Sequence, residues 1–572
     1  MIPFKLVSPR DFIPRTFEIF SKGEGKKYNW KSLGKDCIAG FTVGVVAMPL
    51  AMAFSIAAGG TPAQGLYTAI VAGFIISFLG GSRFQIGGPT GAFVVIIFGI
   101  IHSHGMEGLT LAALMAGLWL VVIGFTGLGR FIKFIPYPVT TGFTTGIGVL
   151  IFSQQIKDFF GLETAGTSPD FIHMWTSYAG TFQSFHPLTL MVGLGTAAVI
   201  VLIRKFVPRI PGAVAGVVAA TLICHFLALD VETIGARFGA IPQTLPLPAL
   251  PRFNWVMFRE LLPASFTIAM LAAIESLLTA VVADGMTGDR HKASMELVAQ
   301  GLGNIAGALF GGIPATGAIA RTATNIKAGA KSPVAGMVHA LTLFLFILFL
   351  APLTSAIPLA SLSAVLIVVS WDMSNIPRFV RILTRAPKSD ALVLITTFAL
   401  TVMVDLTFAV EVGVVLAAFL FLRRMIEVAG IKPGDTDVGT EVLFGSSGAK
   451  EALPEHGKRI EVYEIAGPFF FGVADSLQQT LRGVAKKPRA FVLRMRDVPA
   501  VDSTGIAALE SFLTQCRRGK TQLILSEIRE QPRKALEKAG FLNEIGEANI
   551  CGSLEEALQK AEFHAAKDQH GN

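Results

Sequence analysis

Apolar residues run along most of this chain in long unbroken segments, each long enough to cross about 30 Å of hydrocarbon as a helix. The pattern therefore predicts fourteen transmembrane helices, and an even number places both ends of the membrane domain on the same side of the bilayer. The predicted segments are residues 36–57, 62–80, 84–101, 108–128, 134–156, 187–203, 211–228, 260–282, 293–310, 313–329, 333–351, 357–371, 390–404 and 407–425.

Charged residues in the connections between the segments predict on which side of the bilayer the two ends of the membrane domain lie. The first 35 residues and every second connection carry Lys or Arg, for example Arg204 and Lys205 after the sixth segment. The opposite connections contain neither residue, except for the loop at about 229–259. Because Lys and Arg accumulate in cytoplasmic connections, we expect a multi-pass protein of the inner (plasma) membrane with both termini in the cytoplasm.

Each half of the membrane domain holds seven segments, so a repeated unit would insert upside down the second time. A cluster of Gly and Pro follows the start of each half by about 50 residues. The clusters are Gly87-Gly88-Pro89-Thr90-Gly91 and Gly311-Gly312-Ile313-Pro314-Ala315-Thr316-Gly317. Interrupted helices at matching positions in inverted halves indicate the binding site of a transporter. The alternative is that both clusters are ordinary loops or packing glycines.

The composition of the chain changes after residue 426. Residues 427–458 are rich in Gly, Lys, Glu and Asp and are interpreted as a linker. Strand-like runs then alternate with helical runs, which predicts a small, largely parallel α/β domain at 459–563, followed by a tail at 564–572. The predicted strands are 460–465, 491–496 and 521–526, and the predicted helices are 474–484, 503–516, 531–539 and 553–563.

Overall composition supports the membrane interpretation. Hydrophobic residues make up 52% of the 572 positions, charged residues only 15%, and the mean hydropathy is +0.59. The net charge of +8 follows from the cytoplasmic Lys and Arg, so no nucleic-acid partner is predicted. His102 and His104 lack a third nearby ligand, and the sequence has neither a CxxC pair nor a P-loop. We therefore predict no metal, no cofactor and no enzymatic activity.

The two Gly/Pro clusters suggest an anion site. Helices that begin there would direct unpaired N–H groups and positive dipole ends toward one point within the membrane. Pro89 suits the first turn of a helix, and Thr90, Thr316 and Thr322 add hydroxyl donors. Arg321 lies within the tenth segment, where a charge is costly and usually functional. Alternatively, Arg321 pairs with an acid or extends to the cytoplasmic surface.

Glu275 is the only acidic residue well inside the eighth segment. Such a carboxylate can take up a proton or bind a cation, and Thr279 shares its helix face one turn later. The alternative is a structural partner for Arg321 or for a backbone group. Phe54, in the first segment, is a candidate for the cavity wall or for ordinary packing.

In the soluble domain, Asp502 and Ser503 open a helix after a strand. Either residue suits a simple N-cap. The exposed helix start could instead bind phosphate, or Ser503 could be phosphorylated.

Taken together, these motifs resemble the SulP anion-transporter family with a C-terminal STAS domain, nearest to its bacterial C4-dicarboxylate and sulfate-type members. The resemblance covers nearly the whole chain. The matching motifs are Ala39-Gly40-Phe41-Thr42-Val43-Gly44, Met48-Pro49, Gly60-Thr61-Pro62-Ala63-Gln64-Gly65-Leu66-Tyr67, Gly81-Ser82-Arg83, Gly88-Pro89-Thr90, Gly301-Leu302-Gly303-Asn304 and Gly317-Ala318-Ile319-Ala320-Arg321-Thr322.

The resemblance implies an α-helical 7+7 inverted repeat in which a core domain moves against a gate domain, in elevator-like alternating access. It implies a proton- or sodium-coupled symporter and a homodimer, with a possible cytoplasmic protein partner at the STAS domain. The substrate would be sulfate, bicarbonate or a C4-dicarboxylate, bound by Phe54, Pro89, Thr90, Gly91, Ala320, Arg321 and Thr322. Glu275 and Thr279 would bind the coupling ion, and Asp502 and Ser503 would be regulatory.

Three functional alternatives remain open from the sequence. A passive anion channel, or an exchanger without cation coupling, would not need Glu275. A nucleobase transporter would share the fold, but Arg321 and the STAS domain argue against it.

Overall fold

The computed structural model describes residues 9–20, 28–127, 129, 136–164, 170–207, 210–404, 406–428, 430–433, 460–469 and 488–567. The chain divides near residue 417 into two compact units. The first unit is helical and the second is an α/β fold, and each is described by itself. The helix Leu406–Val428 crosses the division and is given with the first unit.

Helices build the first unit. After a short 3-10 helix at Pro9–Phe12, the helices are α1 (Arg15–Phe20), α2 (Trp30–Ala57), α3 (Pro62–Leu79), α4 (Val94–Thr126), α5 (Tyr137–Phe160), α6 (Phe171–Thr181), α7 (Pro187–Phe206), α8 (Gly212–Phe226), α9 (Ile234–Phe238), α10 (Trp255–Thr287), α11 (Ala293–Leu309), α12 (Ile319–Lys327), α13 (Val334–Thr354), α14 (Leu359–Ser374), α15 (Ile376–Arg385), α16 (Lys388–Met403) and α17 (Leu406–Val428). Two two-residue strands, β1 (Gly87–Gly88) and β2 (Thr316–Gly317), interrupt this series.

Each of the fourteen predicted segments overlaps a helix, and the structure corrects several of the connections between them. The third and fourth segments form the single run α4, broken only at Gly105, whose φ of 66° interrupts the helix in what was predicted to be a loop. The predicted connections at 158–186, 229–259 and 372–389 contain the helices α6, α9 and α15.

In the described part of the chain, seven helical runs are long and apolar enough to cross a membrane. They are Trp30–Ala57, Pro62–Leu79, Gly91–Thr126, Pro187–Phe206, Trp255–Thr287, Val334–Thr354 and Leu359–Arg385. The number of crossings, fourteen, stays a prediction.

The helices of the first unit pack in two groups. Helices α2, α3 and α4 pack with α10, α11 and α13, whereas α5 and α7 pack with α14 and α16. Each group thus draws equivalent segments from both halves of the chain, as an inverted repeat requires. Glycines allow the close approach: a Cβ at Gly65 would overlap the Ala51 carbonyl, and one at Gly44 would lie 2.8 Å from Thr342.

The second unit is a five-stranded sheet with helices. Its strands are β3 (Gly430–Pro433), β4 (Ile460–Ala466), β5 (Ala490–Asp497), β6 (Gln522–Ser526) and β7 (Ile550–Cys551), in that spatial order. Strands β4 to β7 pair in parallel and β3 pairs antiparallel to β4. The helices are α18 (Ser503–Arg518), α19 (Glu530–Lys538), α20 (Phe541–Ile545) and α21 (Leu554–Lys567).

The three predicted strands of this sheet, and three of its predicted helices, are confirmed, with small differences at their ends. The predicted helix at 474–484 lies outside the described residues. Strand β3 is a correction, because it falls inside the predicted linker at 427–458 and its backbone completes one edge of the sheet.

Candidate anion site

The two Gly/Pro clusters meet directly in the folded chain. Strands β1 and β2 pair antiparallel, with Gly87 opposite Gly317 and Gly88 opposite Thr316. The pair is extended on the side of Gly317 by a hydrogen bond from the Ala318 N–H to the Ile86 carbonyl, at 2.9 Å. Gly and Pro disfavour a continuous helix. The backbone N–H and carbonyl groups that lack helical partners here form hydrogen bonds between β1 in the first half of the membrane domain and β2 in the second.

A helix begins directly after each strand of this pair. Residues Gly91–Phe93 form a 3-10 turn that continues into α4, and α12 starts at Ile319. Neither Thr90 nor Ala318, the two N-cap residues, caps its helix with a side chain. The first N–H groups of a helix have no acceptor within that helix, so both starts present donors and positive dipole ends.

Hydroxyl groups on α10 fasten β2 in place. The Ser276 Oγ lies 2.8 Å from the Thr316 Oγ1 and accepts a hydrogen bond from the Gly317 N–H at 3.2 Å. The Thr279 hydroxyl donates to the Gly317 carbonyl at 3.0 Å. Thr279, predicted as an ion ligand, therefore positions the break in this conformation.

Thr322, predicted to line the substrate site, binds the backbone just before the first break in this conformation. It is almost fully buried, and its Oγ1 accepts a hydrogen bond from the Ile86 N–H at 3.0 Å. Asn304 supports the other side: its side chain donates to the Ala315 carbonyl and accepts from the Ala315 N–H, both at 2.8 Å.

Arg321 reaches across to the first break. One guanidinium nitrogen, Nη2, donates to the Pro89 carbonyl, and the other, Nη1, is buried with no hydrogen-bond partner among the described residues. The side chain is only 3% exposed. Of the sequence alternatives, extension to the cytoplasmic surface is therefore wrong for this conformation, and the direct hydrogen-bond partner is a backbone carbonyl.

Glu275 lies beside the start of the first helix. The Thr90 hydroxyl donates to its Oε2 at 3.1 Å, joining residues 185 positions apart in the chain. Glu275 is also close enough to interact electrostatically with Arg321. The site thus holds one cation, one carboxylate and two helix starts, all predicted from the sequence.

The remaining predicted residues divide by exposure. Ala320 is exposed and Thr90 is half-buried, so the start of α12 and the hydroxyl beside it are accessible. Gly91 is buried: a Cβ there would lie 2.7 Å from the Met373 sulfur of α14, which places it where the two helix groups meet. Phe54 is 6% exposed and belongs to the main hydrophobic cluster.

Ser276 and Asn304 are structural parts of the site that residue-type reasoning missed. Asn304 belongs to the matched motif that begins at Gly301, and Ser276 follows Glu275. A lone Ser or Asn in a membrane helix is nevertheless most simply interpreted as a packing residue. Their partners are β2 and the residue before it, and these are identified only once the break is folded.

In the second unit, Asp502 acts as an N-cap. Its carboxylate accepts a hydrogen bond from the Gly505 N–H at 2.8 Å, while Ser503 is exposed at the first position of α18. The N-cap interpretation of Asp502 is confirmed, and phosphorylation of Ser503 stays a prediction. In the described part of the chain, no group of three or more His, Cys, Asp and Glu residues could hold a metal ion.

Comparison with known families matches both units. The Sulfate permease family model matches residues 33–397, and the STAS domain model matches residues 453–557. The chain belongs to the sulfate permease family. This member of the family is thus a multi-pass membrane transporter of anions with a C-terminal STAS domain, and it is not an enzyme.

Two curated relatives match this family member over nearly their whole length. It is 43% identical over 533 residues to the Bacillus subtilis protein named "Putative sulfate transporter YvdB", covering 92% of this chain and 98% of the relative. It is 31% identical over 545 residues to the bicarbonate transporter BicA of Picosynechococcus, covering 94% and 96%. The predicted likeness to dicarboxylate-type members stays a prediction.

Two solved structures share the fold. The transmembrane domain of a cyanobacterial BicA is 29% identical, with a TM-score of 0.60, and the match covers 68% of this chain and 98% of that one. Murine Solute Carrier 26 family member A9, in the inward-facing state, is 18% identical with a TM-score of 0.83, and the match covers 96% and 94%. The second likeness concerns the fold alone.

Proposed function

We propose that this protein is a proton-coupled symporter of a small oxyanion or carboxylate and that it works by elevator-like alternating access. The observation that carries the proposal is the convergence of two helix starts, Arg321 and Glu275 around the β1–β2 pair. Helix N-termini and a buried guanidinium favour an anion. The names of its relatives support sulfate or bicarbonate as the substrate, and a C4-dicarboxylate has the same chemistry.

The contact between Thr90 and Glu275 supplies a mechanism for coupling. A hydroxyl has one hydrogen to donate, so Thr90 can donate either to the Glu275 carboxylate or to a bound anion. Protonation of Glu275 weakens it as an acceptor and removes its repulsion of the anion. The proton and the anion therefore strengthen each other's binding by the same factor, and a factor of about 100 corresponds to ~2.7 kcal/mol.

Glu275 is the group that would carry the coupling proton in this proposal. The Thr279 hydroxyl, whose hydrogen is donated to the Gly317 carbonyl, holds the second break in place. A carboxylate within hydrogen-bonding distance of a hydroxyl is sufficient to carry a proton.

We further propose that the transporter lies in the plasma membrane with both termini in the cytoplasm, and that it forms a homodimer.

The test is transport by Glu275→Gln in proteoliposomes, with Glu411→Gln as the matched control. Glu411 lies on α17 and is exposed, so its substitution should leave transport unchanged. Glu275→Gln should bind substrate with a Kd within about threefold of the wild type, which is less than 1 kcal/mol. It should not accumulate substrate when a proton gradient is imposed, and its binding should no longer depend on pH.

A panel of labelled sulfate, bicarbonate, succinate and uracil identifies the substrate in the same assay. Accumulation by Glu275→Gln against a gradient would disprove the coupling role and leave Glu275 as a structural partner of Thr90. Wild-type flux that follows the anion gradient alone would favour a channel or an exchanger, and uptake of uracil alone would favour a nucleobase transporter.

A further inference from the structure

A cavity of the membrane unit lies apart from the anion site. It is an open groove of about 490 Å³ between α5, α6 and α14. Six aromatic rings form most of its wall, and we call it the aromatic groove. They are Phe152, Phe159, Phe160, Trp175, Tyr178 and Phe182. None of the described residues that line it is charged.

The aromatic groove is built in advance of any ligand. The Trp175 ring packs edge-on against the Tyr178 ring, with their centroids 6.0 Å apart, and Phe160 packs against Phe182 at 6.3 Å. The Trp175 indole N–H donates to the Ser153 Oγ at 3.1 Å, which fixes the indole to α5. Sites for apolar ligands are usually preformed cavities of this kind, with volumes of about 300–1,000 Å³.

The helix α7, which packs against one wall of the groove, exposes apolar side chains. Phe159 packs against α7, where a Cβ at Gly193 would lie 2.8 Å from the Phe159 ring. On the same helix, Met191 and Leu194 are 67% and 54% exposed. Exposed apolar side chains on a membrane-spanning helix contact hydrocarbon, so the helix that packs against one wall of the groove borders lipid. Phe152, Trp175 and Phe182 of the groove wall are exposed as well.

We propose that the aromatic groove binds one acyl chain of a phospholipid at the membrane–water interface. Trp and Tyr are enriched at that interface because one end of each side chain is apolar and the other polar. Trp175 suits such a position, since it lines the groove and is 40% exposed. A wall without charge suits a hydrocarbon chain.

The groove is a poor fit for a second copy of this chain as its main occupant. A stable protein interface buries about 1,600 Å² in total, and a concave site lined by about ten side chains is only part of such an area. A hydrocarbon chain, by contrast, needs only a narrow apolar channel.

Fluorescence quenching by a phospholipid with brominated acyl chains tests the proposal. The full-length protein keeps Trp175 as its only tryptophan, with Trp30, Trp119, Trp255 and Trp371 changed to Phe. Titration of the brominated lipid into detergent-solubilised protein should quench Trp175 in a saturable manner. A variant that keeps only Trp371, which is 70% exposed, should show weak quenching that rises without saturation.

Filling the groove supplies the matched comparison. Ala179 lines the groove, so Ala179→Phe should remove the saturable quenching, lowering its amplitude at least about fivefold. Ala198→Phe adds the same ring at an exposed position of α7 and should leave the quenching intact. Native mass spectrometry of Ala179→Phe in the wild-type tryptophan background should show fewer retained phospholipids, which keeps the test valid if the single-tryptophan variant folds poorly.

Two results would overturn the proposal. One is quenching of Trp175 that does not saturate or that Ala179→Phe leaves unchanged. The other is a loss of dimer in Ala179→Phe with full retention of phospholipid, which would assign the groove to contact between two copies of the chain. Neither result depends on the transport assay, so the groove is tested independently of the proposed symport.

Discussion

At the scale of single residues, the site depends on the close approach of Gly88 and Arg321. A Cβ at Gly88 would lie 2.6 Å from the Arg321 Nη1, and the Gly88 φ of 150° is one that other residues rarely adopt. Glycine at this position therefore lets the guanidinium pass the first break and reach the Pro89 carbonyl. The sequence motif around Gly88 thus has a definite steric reason.

Gly88→Ala should weaken anion binding at least about tenfold, which is 1.4 kcal/mol. The new methyl group and the strained φ would displace Arg321 from Pro89. Isothermal titration calorimetry of the purified protein with its substrate measures the effect. Gly99→Ala is the control, because a Cβ at Gly99 meets nothing within 4 Å. An unchanged Kd in Gly88→Ala would mean that Arg321 does not need this position to bind the anion.

At the scale of elements, the N-terminal helix α1 is fastened to the membrane unit by a small charge network. The Lys292 Nζ donates to the Arg10 carbonyl at 2.8 Å and to the Ile13 carbonyl at 3.0 Å, and it also contacts Glu18. Arg15 forms an ion pair with Glu18 at 2.5 Å. Residues 9–20 thereby connect to the beginning of α11.

The ionisation state of Glu18 controls this contact. Burial alone would raise the pKa of Glu18, but hydrogen bonds from Lys292 and Arg15 outweigh burial and hold the pKa below its ordinary value of 4.5. A carboxyl group whose pKa is lower in the folded protein than in the unfolded chain stabilises the fold at pH values above the unfolded pKa. This stabilisation is lost as the pH falls through the folded pKa. The network is therefore complete at neutral pH and fails only in acid, below about pH 4.5.

Glu18→Gln should loosen the N-terminal segment at pH 7. The free energy needed to open this segment should fall by about 1 kcal/mol, which is typical of a partly exposed ion-pair network. This corresponds to about fivefold faster amide hydrogen exchange over residues 9–20. Glu530→Gln, which breaks the exposed pair with Lys534, should leave that exchange unchanged. Equal exchange in Glu18→Gln and the wild type at pH 7 would show that the ring contacts of this segment, such as Phe12 on Phe125 at 5.2 Å, are sufficient.

At the scale of the whole molecule, the chain consists of a membrane unit and a STAS unit with separate hydrophobic cores. The main cluster of the first unit includes Phe54 and Phe93, and that of the second includes Phe491 and Phe512. The substrate-site residues predicted from the sequence all lie in the first unit. The second unit is therefore expected to regulate or assemble the transporter rather than to bind its substrate.

Deletion of residues 440–572 should leave substrate affinity within about threefold of the full-length value, although abundance or transport rate can fall. Equilibrium binding to the purified, monodisperse membrane unit is the measurement. A monodisperse deletion protein that no longer binds substrate would give the STAS unit a direct part in the site.

Cysteine labelling in intact cells tests the orientation of the termini. Lys450→Cys, in a Cys37→Ser background, should resist an impermeant maleimide from outside and react after the membrane is permeabilised. Cys37 must be removed because it is exposed, whereas burial raises the pKa of the Cys516 thiol to about 12 and keeps that thiol unreactive. Efficient labelling from outside would reverse the predicted topology.

The sequence by itself determined the features that depend on local composition. The sequence predicted three such features. They are the apolar segments of spanning length, the Gly/Pro breaks after Gly87 and after Gly311, and the strand-helix alternation after residue 459. Each reflects the preference of a short stretch for lipid, for a turn or for a strand, and such preferences do not require knowledge of distant residues. The same reasoning singled out Glu275 and Arg321, because charges in apolar segments are costly.

Only the tertiary structure decided how these features meet. The strand pairing of the two breaks, the donation from Thr90 to Glu275 and the contact of Arg321 with Pro89 join residues 185 to 232 positions apart. Such contacts depend on which helix faces touch, and many arrangements satisfy the same hydrophobic pattern. For the same reason, the sequence did not indicate that the Thr322 hydroxyl binds the Ile86 N–H, or that strand β3 lies within a stretch that resembled a linker.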